Sequence, residues 1–253
     1  MHAFSLLELI VVMGIAVGIM TLVGPAVTNI KGGEDLASSA YMIKGALEEA
    51  RTYAVVNHTY TWVGVFEEDL TKADATPAQS GVGRLAIAIV ASKDGTSIYS
   101  KTVASSSNPS VQVIPPSRLI QIGKVIKLNN VHVVDATARK VGVRLAGVVK
   151  QSDLVGLSSD PLLFSFQYPL RGTAKYTFGI NPSPVSQGES VPSGVVQFSP
   201  QGEALSESGP MISPAACREI AIQATRGTTL VNSQNVVAID VSGLTGQVTI
   251  YRP

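Results

Sequence analysis

The sequence predicts an α+β fold: one long N-terminal helix, membrane-spanning at first and then amphipathic, packed on an antiparallel β-sheet head. Three observations predict it. Residues 9–30 are 22 consecutive positions without a charge, and as a helix they span about 33 Å against a hydrocarbon core of about 30 Å. Leu36, Ala40, Ile43, Leu47, Ala50 and Ala54 then recur at spacings of four, three, four, three and four, the period of a helix with one buried face. Beyond Asn57 the pattern switches to β-rich runs separated by turn residues. Composition agrees, since 45% of the 253 residues are hydrophobic and only 15% are charged, where soluble domains carry roughly a quarter charged.

The N-terminal run is expected to be retained rather than removed as a secretory signal. It is long for a signal peptide, Met1-His2-Ala3 carries no Lys or Arg, and Val23-Gly24-Pro25-Ala26-Val27 is a poor cleavage site. Only Glu8 interrupts the apolar pattern at its start. A carboxylate in hydrocarbon costs a few kcal/mol unless neutralised or paired, which makes Glu8 a candidate functional group; the plainer alternative is that it reaches water at the membrane edge. Gly14 and Gly18 form a small-xxx-small pair that permits close helix approach, or are simply the glycines frequent in membrane helices. Gly24-Pro25 is expected to weaken the helix, because Pro25 lacks a donor and crowds the preceding turn. Lys31-Gly32-Gly33-Glu34-Asp35 marks the interface, with a flexible joint expected at the two glycines. Lys44, Glu48, Glu49 and Arg51 fall off the apolar stripe, which is too short for a coiled-coil seam and reads as a helix laid on a sheet.

Strands are expected over residues 59–66, 85–90 and 96–103, the last two flanking a hairpin turn at Lys93-Asp94-Gly95. Residues 125–134 and 141–149 form a further pair. Residues 181–214 hold six prolines and read as surface loop, interrupted by a strand at 195–198 and a tight turn at Ser199-Pro200-Gln201-Gly202. Strands at 219–224, 236–241 and 247–251 complete the sheet. Val237, Ile239, Val241, Val248 and Ile250 alternate with other residues, so one buried face is expected there.

The segment Ala3-Phe4-Ser5-Leu6-Leu7-Glu8-Leu9-Ile10-Val11-Val12 resembles the processing and methylation segment of type IV prepilins and type II secretion pseudopilins. The resemblance implies a pilin-like fold, a leader (residues 1–3) removed between Ala3 and Phe4 by a prepilin peptidase, and N-methylation of the new terminus at Phe4. Glu8 then stands fifth in the mature chain and Pro25 twenty-second, both places where the family carries those residues. Ala3 stands where the family nearly always has Gly, and the leader lacks the usual basic residues. Residues 4–56 become a helical stem with its membrane segment at 9–30, and residues 57–253 a β-rich head. Glu8 would pair with the freed ammonium of a neighbouring subunit's Phe4, each charge offsetting the burial of the other. Gly14, Gly18 and Pro25 join it as assembly residues.

Leu47-Glu48-Glu49-Ala50-Arg51-Thr52-Tyr53-Ala54, Val195-Val196-Gln197-Phe198-Ser199-Pro200-Gln201-Gly202 and the closing hairpin at 236–252 are similar to the GspH/FimT group of minor pseudopilins. Thr59-Tyr60-Thr61-Trp62-Val63-Gly64 and the ending at 246–253 are also similar to the Verru_Chthon cassette protein D group. The span at 67–194 is longer than in the GspH/FimT pattern, and nothing is carried over there. The implied function is that of a structural subunit, a minor pseudopilin of a type II secretion-like system. It would sit in the inner membrane with its head in the periplasm, its partners being other pilin subunits, the peptidase and inner-membrane lipid. The alternative is a type IV minor pilin with a DNA-binding or adhesive head at the cell surface.

No enzyme signature accompanies these features. There is no GxSxG, HExxH, Walker loop or GxGxxG after a strand, so neither catalysis nor a cofactor is expected. Gly81-Val82-Gly83 and Gly243-Leu244-Thr245-Gly246 read as turn glycines. His132 and Asp135 fall on opposite strand faces, His58 reads as an exposed turn residue, and Cys217 as a small core residue. Asn57-His58-Thr59 fits a glycosylation sequon. Glu67-Glu68-Asp69 reads as a solvated loop tip in preference to a calcium loop. Arg51 and Asn57 read as caps of the helix end. Net charge is only +1, and Lys124, Lys127, Arg139, Lys140, Arg144 and Lys150 are scattered, so nucleic acid is not an expected partner.

Overall fold

The computed structural model describes residues 6–72, 81–96, 112–113, 116–134, 154–156, 164–168, 176–178, 194–205, 217–231 and 236–251. One helix opens the chain, α1 (Leu6–Val56), and strands follow. These are β1 (Thr61–Asp69), β2 (Gly83–Ser92), β3 (Gln112–Val113), β4 (Leu119–Val134), β5 (Leu154–Gly156), β6 (Phe164–Tyr168), β7 (Tyr176–Phe178), β8 (Gly194–Phe198), β9 (Ala204–Leu205), β10 (Cys217–Arg226), β11 (Thr229–Leu230), β12 (Val236–Ser242) and β13 (Val248–Tyr251). The main sheet runs β13-β12-β10-β4-β2-β1-β8-β9, with β11 and β5 also paired to β10. Its pairings are antiparallel apart from β5 beside β10. A smaller sheet joins β3, β6 and β7.

The C-terminal part of α1 lies on this sheet by the stripe that its spacing predicts. Leu36, Ala40, Ile43, Leu47, Ala50 and Ala54 are all buried and join Val63, Val65, Leu85, Ile87, Ile220, Ile222, Val237 and Ile239 in one core. Alanine serves twice here, as the strongest helix former and as the side chain that lets a helix sit close to a sheet. The Thr61 hydroxyl on β1 donates to the Ala50 carbonyl at 3.0 Å, tying the helix backbone to the sheet. The helix stops where Asn57 donates through both its backbone N and its Nδ2 to the Tyr53 carbonyl, each at 3.0 Å. His58 then turns left-handed, at φ 48°, which releases the chain into β1. Asn57 is the terminator its sequence position suggests.

The expected fold class is corrected in its balance and in its anchor. Antiparallel sheet dominates the described chain, and no helix among the described residues is long and apolar enough to cross a membrane. The membrane span at 9–30 and the single-pass inner-membrane placement with a periplasmic head fall with that finding. The flexible joint is corrected too, because α1 runs unbroken through Gly24-Pro25 and Gly32-Gly33.

The strands match in place more than in exposure. β1, β2, β4, β8, β10, β12 and β13 fall on the expected runs, with β1 and β13 starting two and one residues later than expected, while those at 97–103 and 141–149 lie outside the described residues. The partners of β2 are β1 and β4. β12 is buried on both faces rather than one, Asp240 included. The sheet's other face is also covered: Trp62, Ala86, Ala88, Val90, Gln197, Ala221 and Ala238 are all buried. Strand β7 lies against β1.

Candidate functional site

The first candidate is the exposed stem. Leu6, Leu9, Ile10, Val11, Val12, Met13, Ile15, Val17, Ile19 and Met20 are all exposed, from 51% at Val11 to 78% at Leu6. Consecutive residues advance about 100° around a helix, so this run is apolar on every side. Gly14 and Gly18 lie within it, and a Cβ built on either meets nothing within 4 Å, which leaves room for a neighbouring backbone to approach. Glu8 and Pro25 belong to the same helix. The cleavage pair Ala3 and Phe4 lies outside the described residues.

A second candidate is the junction at the far end of α1. Arg51 does not cap the helix, as its position suggests; its Nε reaches across to donate to the Gly202 carbonyl at 3.2 Å. Gly202 ends the turn after β8, where the Ser199 hydroxyl accepts from the amides of Gln201 and Glu203. In the turn after β12, the Gly243 carbonyl accepts from the Ala204 amide at 2.9 Å. The helix end, the β8–β9 turn and the β12–β13 turn therefore meet at one point. These are the three segments on which the second resemblance rests.

The third candidate is a buried acid at the end of β1. Glu67 has no exposed surface, and its carboxylate meets His132 Nδ1 at 2.9 and 3.1 Å. It also accepts from the Gly83 amide at 3.1 Å and the Val133 amide at 3.3 Å. Burial pushes its carboxyl above the ordinary range, while the hydrogen bond and charge of His132 and the two amides pull it back. The next residue, Glu68, is paired with Arg84 at 3.3 Å and Lys127 at 3.7 Å. Asp69 accepts from the amide and hydroxyl of Thr71. The acidic trio is therefore neither a loop tip nor a calcium loop. Each carboxylate is committed to a different partner, and among the described residues no group of three potential ligands could hold a metal ion. His132 pairs with Glu67 rather than Asp135, which lies outside the described residues.

The remaining candidates have structural surroundings. Cys217 is buried, as a small core residue would be. Asp94 organises the turn after β2, accepting from Ser92 and Thr96 and from Arg118 Nη2 at 2.8 Å, and the Arg118 bond leads in holding its carboxyl well below the usual range. Of the six scattered basic residues, Lys124 and Lys127 lie on β4, and Lys127 is engaged by Glu68. The other four lie outside the described residues. Compared with known proteins, the chain matches no family model, no curated protein and no solved structure.

Proposed function

We propose that this chain is a structural subunit of a pilin-like filament, a minor pseudopilin of a type II secretion-like system, assembled through its apolar N-terminal helix. The observation that carries this reading is the stem. A helix with one apolar face is completed by one neighbour, but a helix apolar all round is stable only when neighbours surround it. A bundle of such stems, each head displaced to the outside, supplies those neighbours. Gly14 and Gly18 are then points of close helix contact. Glu8 is the counter-ion for the ammonium of a neighbour's Phe4, a pair that fixes axial register because neither charge is stable alone in an apolar bundle.

Two measurements test this on protein made in its own cell. Intact N-terminal mass is expected to show a chain beginning at methylated Phe4, after removal of residues 1–3 by a prepilin peptidase. Negative-stain microscopy of the enriched assemblies is expected to show filaments containing the chain, lost in Ile15→Asp and Glu8→Gln variants whose heads keep the wild-type melting temperature. Normal incorporation of both variants refutes the proposal.

A further inference from the structure

The two ends of the main sheet, β9 and β13, are separated by six strands in its order, yet β9 meets the turn that leads into β13. Ala204 on β9 donates its amide to Gly243, which follows β12, so the sheet curls until its last hairpin lies against its opposite edge. An uncovered strand edge is a template for pairing with another chain. Here the outward amide of β9 is already spent inside the molecule.

The fit at this closure leaves no spare room. Gly246 has φ +63°, and a Cβ there would run into the Gly202 carbonyl oxygen and meet Arg51 Cδ and Nε at 2.9 Å. Gly202 has φ +83°, and its Cβ would meet Val55 Cγ2 at 3.0 Å. Two backbone turns thus touch each other through glycine, and the Arg51 side chain from α1 lies across both. Its hydrogen bond to Gly202 carries the charge of the guanidinium and is part-buried, which makes it stronger than a neutral bond of the same length.

We infer that Arg51 is the pin of a clasp that holds the sheet closed around α1 and keeps the β9 edge from pairing with a second copy of this chain. Arg51 acts by positioning. It holds the Gly202 carbonyl, the Gly202 turn holds the Gly243–Gly246 turn, and that contact occupies the Ala204 amide. The clasp joins α1 to both sides of the sheet at once, so an incoming strand must first displace the helix end. This inference stands whether or not the stem builds a filament.

Hydrogen exchange on the full chain in detergent micelles tests it, read at Ala204 and Gly202 against Val63 and Ile87 in the sheet centre. In Arg51→Met the first two amides are expected to exchange at least tenfold faster, with the second two unchanged. Thioflavin-positive aggregates, which helix association alone does not produce, are expected at concentrations where the wild type gives none. If Arg51→Met raises exchange at all four amides, Arg51→Lys is the deciding variant, because lysine keeps the charge but cannot present the planar Nε donor. The same local pattern in Arg51→Lys supports the clasp. Unchanged exchange at Ala204, a uniform rise in both variants, or local opening without aggregates each overturns it.

Discussion

At the scale of the residue, Glu67 shows how much a position's meaning depends on distant parts of the chain. Its neighbours in sequence are acids, and a run of three carboxylates reads as solvated. Its neighbours in space are His132, which is 65 positions away, and the amides of Gly83 and Val133. No local pattern carries that information. The sign of its pH effect follows from its shift. Burial raises the folded-state pKa above the unfolded value, so the folded chain holds this proton more tightly. The resulting stabilisation is full below the unfolded carboxyl range, about pH 4, and fades as pH rises through the raised value. Glu67→Gln removes the titration. The stability of the wild type relative to Glu67→Gln is therefore expected to fall as pH rises above about 4, measured by urea denaturation at each pH. A wild type that instead gains stability relative to the variant as pH rises would show that the His132 pairing, rather than burial, governs the site.

At the scale of the element, legibility follows periodicity. The stripe from Leu36 to Ala54 was readable because a helix writes its buried face into spacings of three and four, and each of its six residues is buried. β12 was misread for the complementary reason. Strand alternation reports polarity, and Asp240 is polar, but it is buried all the same because the sheet is covered on both faces. The Arg51 junction was also hidden, since residues on a helix and in two turns meet only once the sheet has curled. The helix gives a sharp prediction. Leu47→Ala leaves a cavity in a core that cannot easily collapse, and is expected to cost about 2–5 kcal/mol. Tyr41→Ala, on the exposed face of the same helix at 67% exposure, is expected to stay within about 0.5 kcal/mol. Urea midpoints of the two variants separate these values, and equal losses would mean that the helix does not rest on the sheet by this face.

At the scale of the whole molecule, α1 belongs to two environments. From Leu36 onward its apolar face is spent on the sheet. Between Leu6 and Met20 ten apolar side chains stand exposed among the described residues. Burying a Leu, Ile, Val or Met side chain is worth about 1.5–3 kcal/mol, so ten such residues left in water amount to a large driving force for association, while contributing nothing to the stability of the head. Assembly and folding should therefore separate. A chain beginning at Leu36 is expected to sediment as a monomer and to melt within a few degrees of the full-length protein held in detergent. The full-length chain is expected to associate as detergent is diluted away. If the shortened chain associates equally, the driving surface lies on the head, and the exposed stem is not what brings copies together; if it fails to fold, the head draws stability from residues before Leu36 and the two roles of the helix are coupled.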